Sequence, residues 1–185
     1  YKIFLSGGDT VFSNKLSFSI TSIGLANDIV YRNKARINDD IYVSGNLGDS
    51  YLGLLVLKNK IKLNHLLNKY FTNQYFMPNI QLKLANKIKN FANTSIDISD
   101  GLLTDLDKMI NDQKLSYKLF LKDIPISNNL KKILNIKKLP KINYISNGDD
   151  YQVIFTAPKH RRRIISKIAT NLRIKLTKIG LIQSV

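Results

Sequence analysis

Thr94-Ser95-Ile96-Asp97-Ile98-Ser99-Asp100-Gly101-Leu102-Leu103 is the stretch from which the fold of this chain is read, because an apolar run ends there in two carboxylates, a hydroxyl and a glycine. Alternation through Ile96, Asp97, Ile98 and Ser99 predicts a strand with both isoleucines on the core side and Asp97 and Ser99 together on the other. From Leu102 the spacing becomes helical, with Leu102, Leu103, Leu106, Met109 and Ile110 forming an apolar stripe. Ser99 or Asp100 is placed to cap that helix, and Gly101 lets the backbone turn tightly. Two unit charges ~4 Å apart repel by roughly 4 kcal/mol at an effective dielectric of about 20, so two acids converging at a helix start call for a partner. Magnesium takes hard carboxylate oxygens and completes its shell with water and nucleotide phosphate, and phosphate also suits a helix N-terminus. One capping Asp beside one solvated Asp accounts for the same residues, and both readings stay open on this stretch alone.

Upstream, Lys2 to Ser6 reads as a strand running into Gly7-Gly8-Asp9-Thr10, and Leu16 to Ile23 alternates as a second strand. Paired glycines let a backbone approach phosphate closely and Asp9 adds an oxygen ligand, although Gly-Gly-Asp is also ordinary turn chemistry. The strand Ile41 to Ser44 leads through Gly45-Asn46-Leu47-Gly48-Asp49-Ser50 into an apolar helix, Tyr51 to Leu57, an arrangement that can hold an anion but lacks the lysine of a P-loop. Helices are expected around Leu63 to Phe71 and from Pro78 to Phe91, with Tyr75 and Phe76 between them as packing residues.

Downstream, a strand around Tyr117 to Leu121, a short helix near Asn128 to Leu134 and a second acidic turn at Asn147-Gly148-Asp149-Asp150-Tyr151 precede a strand from Gln152 to Thr156. Pro158 opens a helix with Arg161, Arg162 and Arg163 near its positive end, where cations must face solvent or meet an anion. Thr177 to Ile182 closes the chain as a strand. His65 and His160 are too isolated to form a metal pair or a general base.

At 185 residues the chain is long enough for one good core, or one domain and a piece of another. It begins with Tyr1 and an immediate strand pattern, so a preceding portion is expected. There is no cysteine, hence no disulfide and no thiolate metal site. No apolar run approaches the ~18 residues of a membrane helix, no signal-peptide pattern appears, and a cytoplasmic location is expected. The net charge of +16 invites a polyanion. The excess is nearly all lysine scattered among Asn and Ile, residues with A/T-rich codons, and arginine, the better reader of bases, occurs only at positions 32, 36, 161, 162, 163 and 173. A nucleic-acid function is therefore ranked low.

Taken together, Gly7-Gly8-Asp9-Thr10, Ser95 to Leu102 and Asn147 to Tyr151 have the order and spacing of a family: the chain resembles thiamine-monophosphate kinase over nearly its whole length, including Arg32 and Gly48-Asp49-Ser50. The resemblance implies a mixed α/β (α+β) fold shared with aminoimidazole ribonucleotide synthetase. Residues 1–25 would end an incomplete N-terminal nucleotide- and metal-binding domain, and residues 26–185 would form the C-terminal α/β/α layered domain. It implies nucleotide contacts at Gly8, Asp9, Arg32 and Ser99, magnesium ligands at Asp9, Asp97 and Asp100, and a thiamine-phosphate contact at Asp149. ATP is then the co-substrate and Mg2+ the cofactor of direct phosphoryl transfer to thiamine phosphate, with no catalytic nucleophile in the protein. Asp149 and Gln152 depart from the family, which has Glu at both places, and the family draws further ligands from sequence upstream of Gly7. A homodimer or a separate N-terminal half is the expected partner. The alternatives are a catalytically incompetent, nucleotide-binding remnant of that kinase, or a basic RNA-associated protein.

Overall fold

The structure, a computed structural model, describes residues 4–185. Five strands form one antiparallel sheet: β1 (Asp40–Ser44), β2 (Thr94–Asp97), β3 (Leu115–Leu119), β4 (Val153–Ala157) and β5 (Leu176–Ser184), in the order β2-β4-β1-β5-β3. The central strand β1 pairs Ile41 with Thr156 of β4 and Val43 with Thr177 of β5, with a register shift between Ile41 and Tyr42 on the β5 side. All five residues of β1 are buried, as expected of a strand covered on both faces.

Period-2 alternation divides the sheet between two cores. Ile41, Val43 and Ile154 meet Leu102, Leu106 and Met109 of α4 (Leu102–Ile110) on one face. Tyr42 and Phe155 face the other way, stacked with ring centroids 5.2 Å apart. There they pack against Leu84 and Ile88 of α3 (Leu82–Ile88) and Ile165 of α7 (Arg162–Leu172). A third apolar cluster joins α1 (Asp49–Leu57), α2 (His65–Phe76), α5 (Asn128–Lys137) and α6 (Ile142–Ile145) through Leu52, Phe71, Leu130 and Tyr144.

Several elements differ from the sequence reading. The expected strand at Leu16 to Ile23 is absent: residues 4–25 form no strand or helix and stay exposed, with Phe12 97 % and Phe18 83 % accessible. A ladder needs a partner edge, and none of the five strands pairs there. Lys2 and Ile3 of the first expected strand lie outside the described residues, and Phe4 to Ser6 form no strand. The helix expected from Pro78 begins only at Leu82, while α2 runs on to Phe76 and absorbs the aromatic residues beyond Phe71. Just before the second acidic turn, Tyr144 and Ile145 are the buried residues of the short α6.

Candidate functional site

The β2–α4 turn and the 147–151 turn form a single structure. Asp97, exposed at the end of β2, lies opposite Val153 at the start of β4. Beyond that register the pairing continues irregularly: Ile98 N donates to Gln152 O at 2.7 Å, Tyr151 N to Ile98 O at 2.9 Å, and Asp149 N to Ser99 O at 3.0 Å. Gly148 lies so close that a Cβ there would meet the Ser99 carbonyl oxygen at 1.8 Å. Asp149 and Tyr151 both hold left-handed backbone, with φ of 68° and 49°. For a tyrosine that conformation is costly, and strain of this kind persists where surrounding bonds enforce it.

Neither Ser99 nor Asp100 caps α4. The N-cap is Gly101, which has no side chain to offer. Buried Asp105 does the work from inside the helix, its Oδ2 accepting from Asp100 N at 2.8 Å and Gly101 N at 3.1 Å. A carboxylate placed there also favours the positive end of the helix. Lys108, one turn on, donates to Asp105 Oδ1 at 3.2 Å and to Asp100 Oδ2. Those bonds, to Asp100 first and then Asp105, raise the lysine's pKa. Lys108 thus supplies a counter-charge to Asp100 and Asp105, while none of the ion pairs among the described residues involves Asp97. The Asp105–Lys108 spacing of three was the sequence signal for this pair.

The glycine turn before α1 does hold an acidic group, and it is the protein's own carboxyl. Asp150, only 4 % exposed, accepts from Gly48 N at 2.6 Å and Ser50 N at 3.3 Å. Burial raises its pKa to about 7 even though these donors lower it. Asp49 is also raised by burial, against the lowering bonds from the Ser127 and Tyr70 hydroxyls. Gln152 beside it is fully engaged: its Oε1 accepts from Ser44 Oγ and Gln81 Nε2, and its Nε2 donates to Asn79 O. A carboxylate at position 152 has no proton for that last bond when ionised, so an amide suits this surrounding. In the middle of the arginine run at 161–163, Arg162 meets an anion, making a two-pronged pair with buried Asp40 at 2.6 and 2.8 Å.

Of the residues singled out by sequence, Asp97, Ser99, Asp100 and Asp149 are brought together on these two interlocked turns. Arg32 is not beside them: Thr94 Oγ1 bonds Tyr31 O and Asn33 N bonds Met109 O, which puts the arginine at the opposite end of β2 and α4. Gly8 and Asp9 lie in the exposed 4–25 segment, where, among the described residues, the Asp9 carboxylate accepts only from its neighbour Thr10 N. Exposed carboxylates at Asp97 and Asp100 have the donor chemistry magnesium takes. Their number is short, since no group of three His, Cys, Asp or Glu residues placed to hold a metal occurs among the described residues. Alone they do not make up a magnesium site.

The layered sheet with its paired acidic turns places the chain among mixed α/β proteins of the aminoimidazole ribonucleotide synthetase-like fold. A thiamine-monophosphate kinase from Stenotrophomonas maltophilia K279a matches it with a TM-score of 0.76 at 28 % identity, over 84 % of this chain and 51 % of that one. AaThiL, solved in complex with AMPPCP and TMP, matches with a TM-score of 0.73 at 29 % identity, over 84 % and 48 %. In sequence, the thiamine-monophosphate kinase of Buchnera aphidicola subsp. Schizaphis graminum is 35 % identical over 190 residues, covering 100 % of this chain and 57 % of the relative. No family model matches. The chain belongs to the thiamine-monophosphate kinase family, whose C-terminal portion it matches. It spans a little over half the length of the curated relatives it matches.

Proposed function

We propose that this chain is the C-terminal part of an ATP-dependent thiamine-phosphate kinase, transferring the γ-phosphoryl group of ATP to the phosphate of thiamine phosphate to give ADP and thiamine diphosphate. The observation that carries the reading is the interlocking of the Asp97–Asp100 and Asn147–Tyr151 turns within a chain related over its whole length to such kinases. Phosphoryl transfer needs positioning and neutralisation of charge rather than a protein nucleophile, which suits a face of carboxylates, a hydroxyl and a lysine with no cysteine or paired histidine. In this reading Ser99 contacts nucleotide and Asp149, held by its bond to Ser99 O, faces the acceptor. Asp97 and Asp100 hold magnesium, which when bound neutralises charge on the phosphates. Lys108 holds the Asp100 carboxylate in place. Gly8, Asp9 and Arg32 belong to the nucleotide side, with residues 1–25 closing an N-terminal domain.

Because the described residues present too few metal ligands, the remaining ligands come from elsewhere in the protein or from a second chain. Residues 1–185 alone then bind nucleotide weakly and turn over little or not at all. Calorimetric titration with a nonhydrolysable ATP analogue tests this: binding is expected to require magnesium and to weaken about tenfold in Asp97→Asn, equivalent to about 1.4 kcal/mol. Magnesium-dependent binding unchanged by that substitution would remove Asp97 from the site, and full turnover by residues 1–185 would overturn the requirement for further ligands.

A further inference from the structure

Away from the acidic turns, a concavity of about 450 Å³ lies between the 122–126 turn, α5 and the segment entering β5. Four lysines line it: Lys122, Lys131, Lys141 and Lys175. Asp123 is the one acid in its wall, and none of the ion pairs found among the described residues involves it or these lysines. The cluster is therefore left with an excess of positive charge. Burial lowers the pKa of Lys141, Asp123 raises it, and the neighbouring charges of Lys131 and Lys175 lower it further.

Two of these cations, Lys141 and Lys175, are held in place by hydrogen bonds. Lys141 Nζ donates to Leu121 O at 2.7 Å and Ile124 O at 2.5 Å, which ties the turn to the segment before α6 and leaves one N–H to offer. Lys175 Nζ donates to the neutral Asn46 Oδ1 at 2.9 Å and keeps two donors. Asn128, Lys131 and Leu134 recur at the spacing of one helical face of α5. Between the cations, Ile124, Leu134 and Leu139 supply an apolar floor. A concave, partly apolar wall with a few convergent polar groups is the ordinary form of a small-molecule site, and this volume falls within the usual range of about 300–1,000 Å³.

We propose that this cavity binds the phosphate group of a small phosphorylated molecule, at a site separate from the Asp97–Asp100 face. Several lysines and no arginine favour phosphate over a planar carboxylate: lysine meets phosphate as a compact point charge, whereas bidentate recognition of a carboxylate draws on the guanidinium fork. The apolar floor takes the body of the ligand.

Titration of the full 185-residue chain with inorganic pyrophosphate, without magnesium and followed by amide chemical shifts, tests the site. Saturable shifts are expected at residues 122–131, 139–141 and 175–177. The double variant Lys122→Gln/Lys131→Gln, both at exposed positions, is expected to weaken binding at least about tenfold. Asp97→Asn is expected to leave it unchanged. Retained chemical-shift dispersion in each variant shows that it is folded. No saturable shift up to about 10 mM pyrophosphate overturns the proposal, that being far weaker than a formed site. So do shifts confined to the 97–101 and 147–151 turns, or binding indifferent to the lysine pair. An RNA oligomer that shifts the same residues at far lower concentration than pyrophosphate would replace the small-molecule reading with a polyanion surface.

Discussion

Asp150 makes the stability of this chain depend on pH in a direction opposite to that of an ion-paired carboxylate. Its pKa is pushed up to about 7, from an ordinary value of 3.8, because burial penalises the charged form more than the Gly48 and Ser50 amides favour it. Holding the carboxyl at about 7 rather than 3.8 corresponds to about 4 kcal/mol between the protonation states. The sign follows from linkage. The folded-state pKa lies above the unfolded one, so the favourable contribution is complete below about pH 4 and is lost as pH rises to about 7. Between pH 5 and pH 7.5 the expected loss is roughly 2–3 kcal/mol, a large share of the 5–15 kcal/mol that holds an ordinary domain together. Asp49, also raised by burial, adds a loss of the same sign. Asp40 is lowered, since Arg162 and Lys178 outweigh its burial, so its contribution is lost only below the ordinary carboxylate range and leaves this window alone.

The perturbation is Asp150→Asn. An amide carries one acceptor oxygen, so the longer bond from Ser50 N at 3.3 Å is the one given up, at a cost of about 1 kcal/mol. Urea denaturation at pH 5 and pH 7.5 is expected to show the wild type losing stability with rising pH and the variant keeping only the smaller Asp49 slope. The variant should be the less stable protein at pH 5 and match or exceed the wild type at pH 7.5. A wild-type stability that is flat or rising across this range, or an equal slope in both proteins, would refute the reasoning.

Further consequences are as direct. In Gly148→Ala the new methyl group meets the Ser99 carbonyl oxygen at 1.8 Å, so the two turns must separate. Losing the Asp149–Ser99 and Tyr151–Ile98 backbone bonds costs about 2 kcal/mol, seen as a lower melting temperature, and should weaken binding of an ATP analogue as much as Asp97→Asn does. Removing Arg162 by Arg162→Ala strips buried Asp40 of its two-pronged partner and leaves only Lys178 at 3.3 Å. Because Arg162 is half exposed and Lys178 remains, a loss of about 1–2 kcal/mol is expected in denaturant titration, with nucleotide binding unaffected in the folded fraction.

The local elements were legible because their signals are local. Alternation at Ile96, Asp97 and Ile98 and the apolar stripe of α4 each depend on residues within a few positions, and the spacing of the acidic turns carried the family. Boundaries failed where the deciding partner was distant or missing. The alternating Leu16 to Ile23 has the pattern of a strand, yet a ladder requires a partner, and none of the five strands pairs with it. Pro78 looked like a helix start, but the turn is formed only from Leu82, where Leu84 and Ile88 reach the Tyr42–Phe155 face.

What the sequence determined by itself is which groups this protein possesses and the main local elements that carry them: a strand running into Asp97, Ser99 and Asp100, a glycine turn before α1, and a second acidic turn at 147–151. Tertiary structure alone decided what each carboxylate does. Asp150 fills the anion site of a helix about a hundred positions away, Asp105 rather than Ser99 or Asp100 serves the start of α4, and Asp149 is locked to Ser99. A carboxylate's role is set by the donors and the dielectric around it, and those are assembled by segments far apart in the chain.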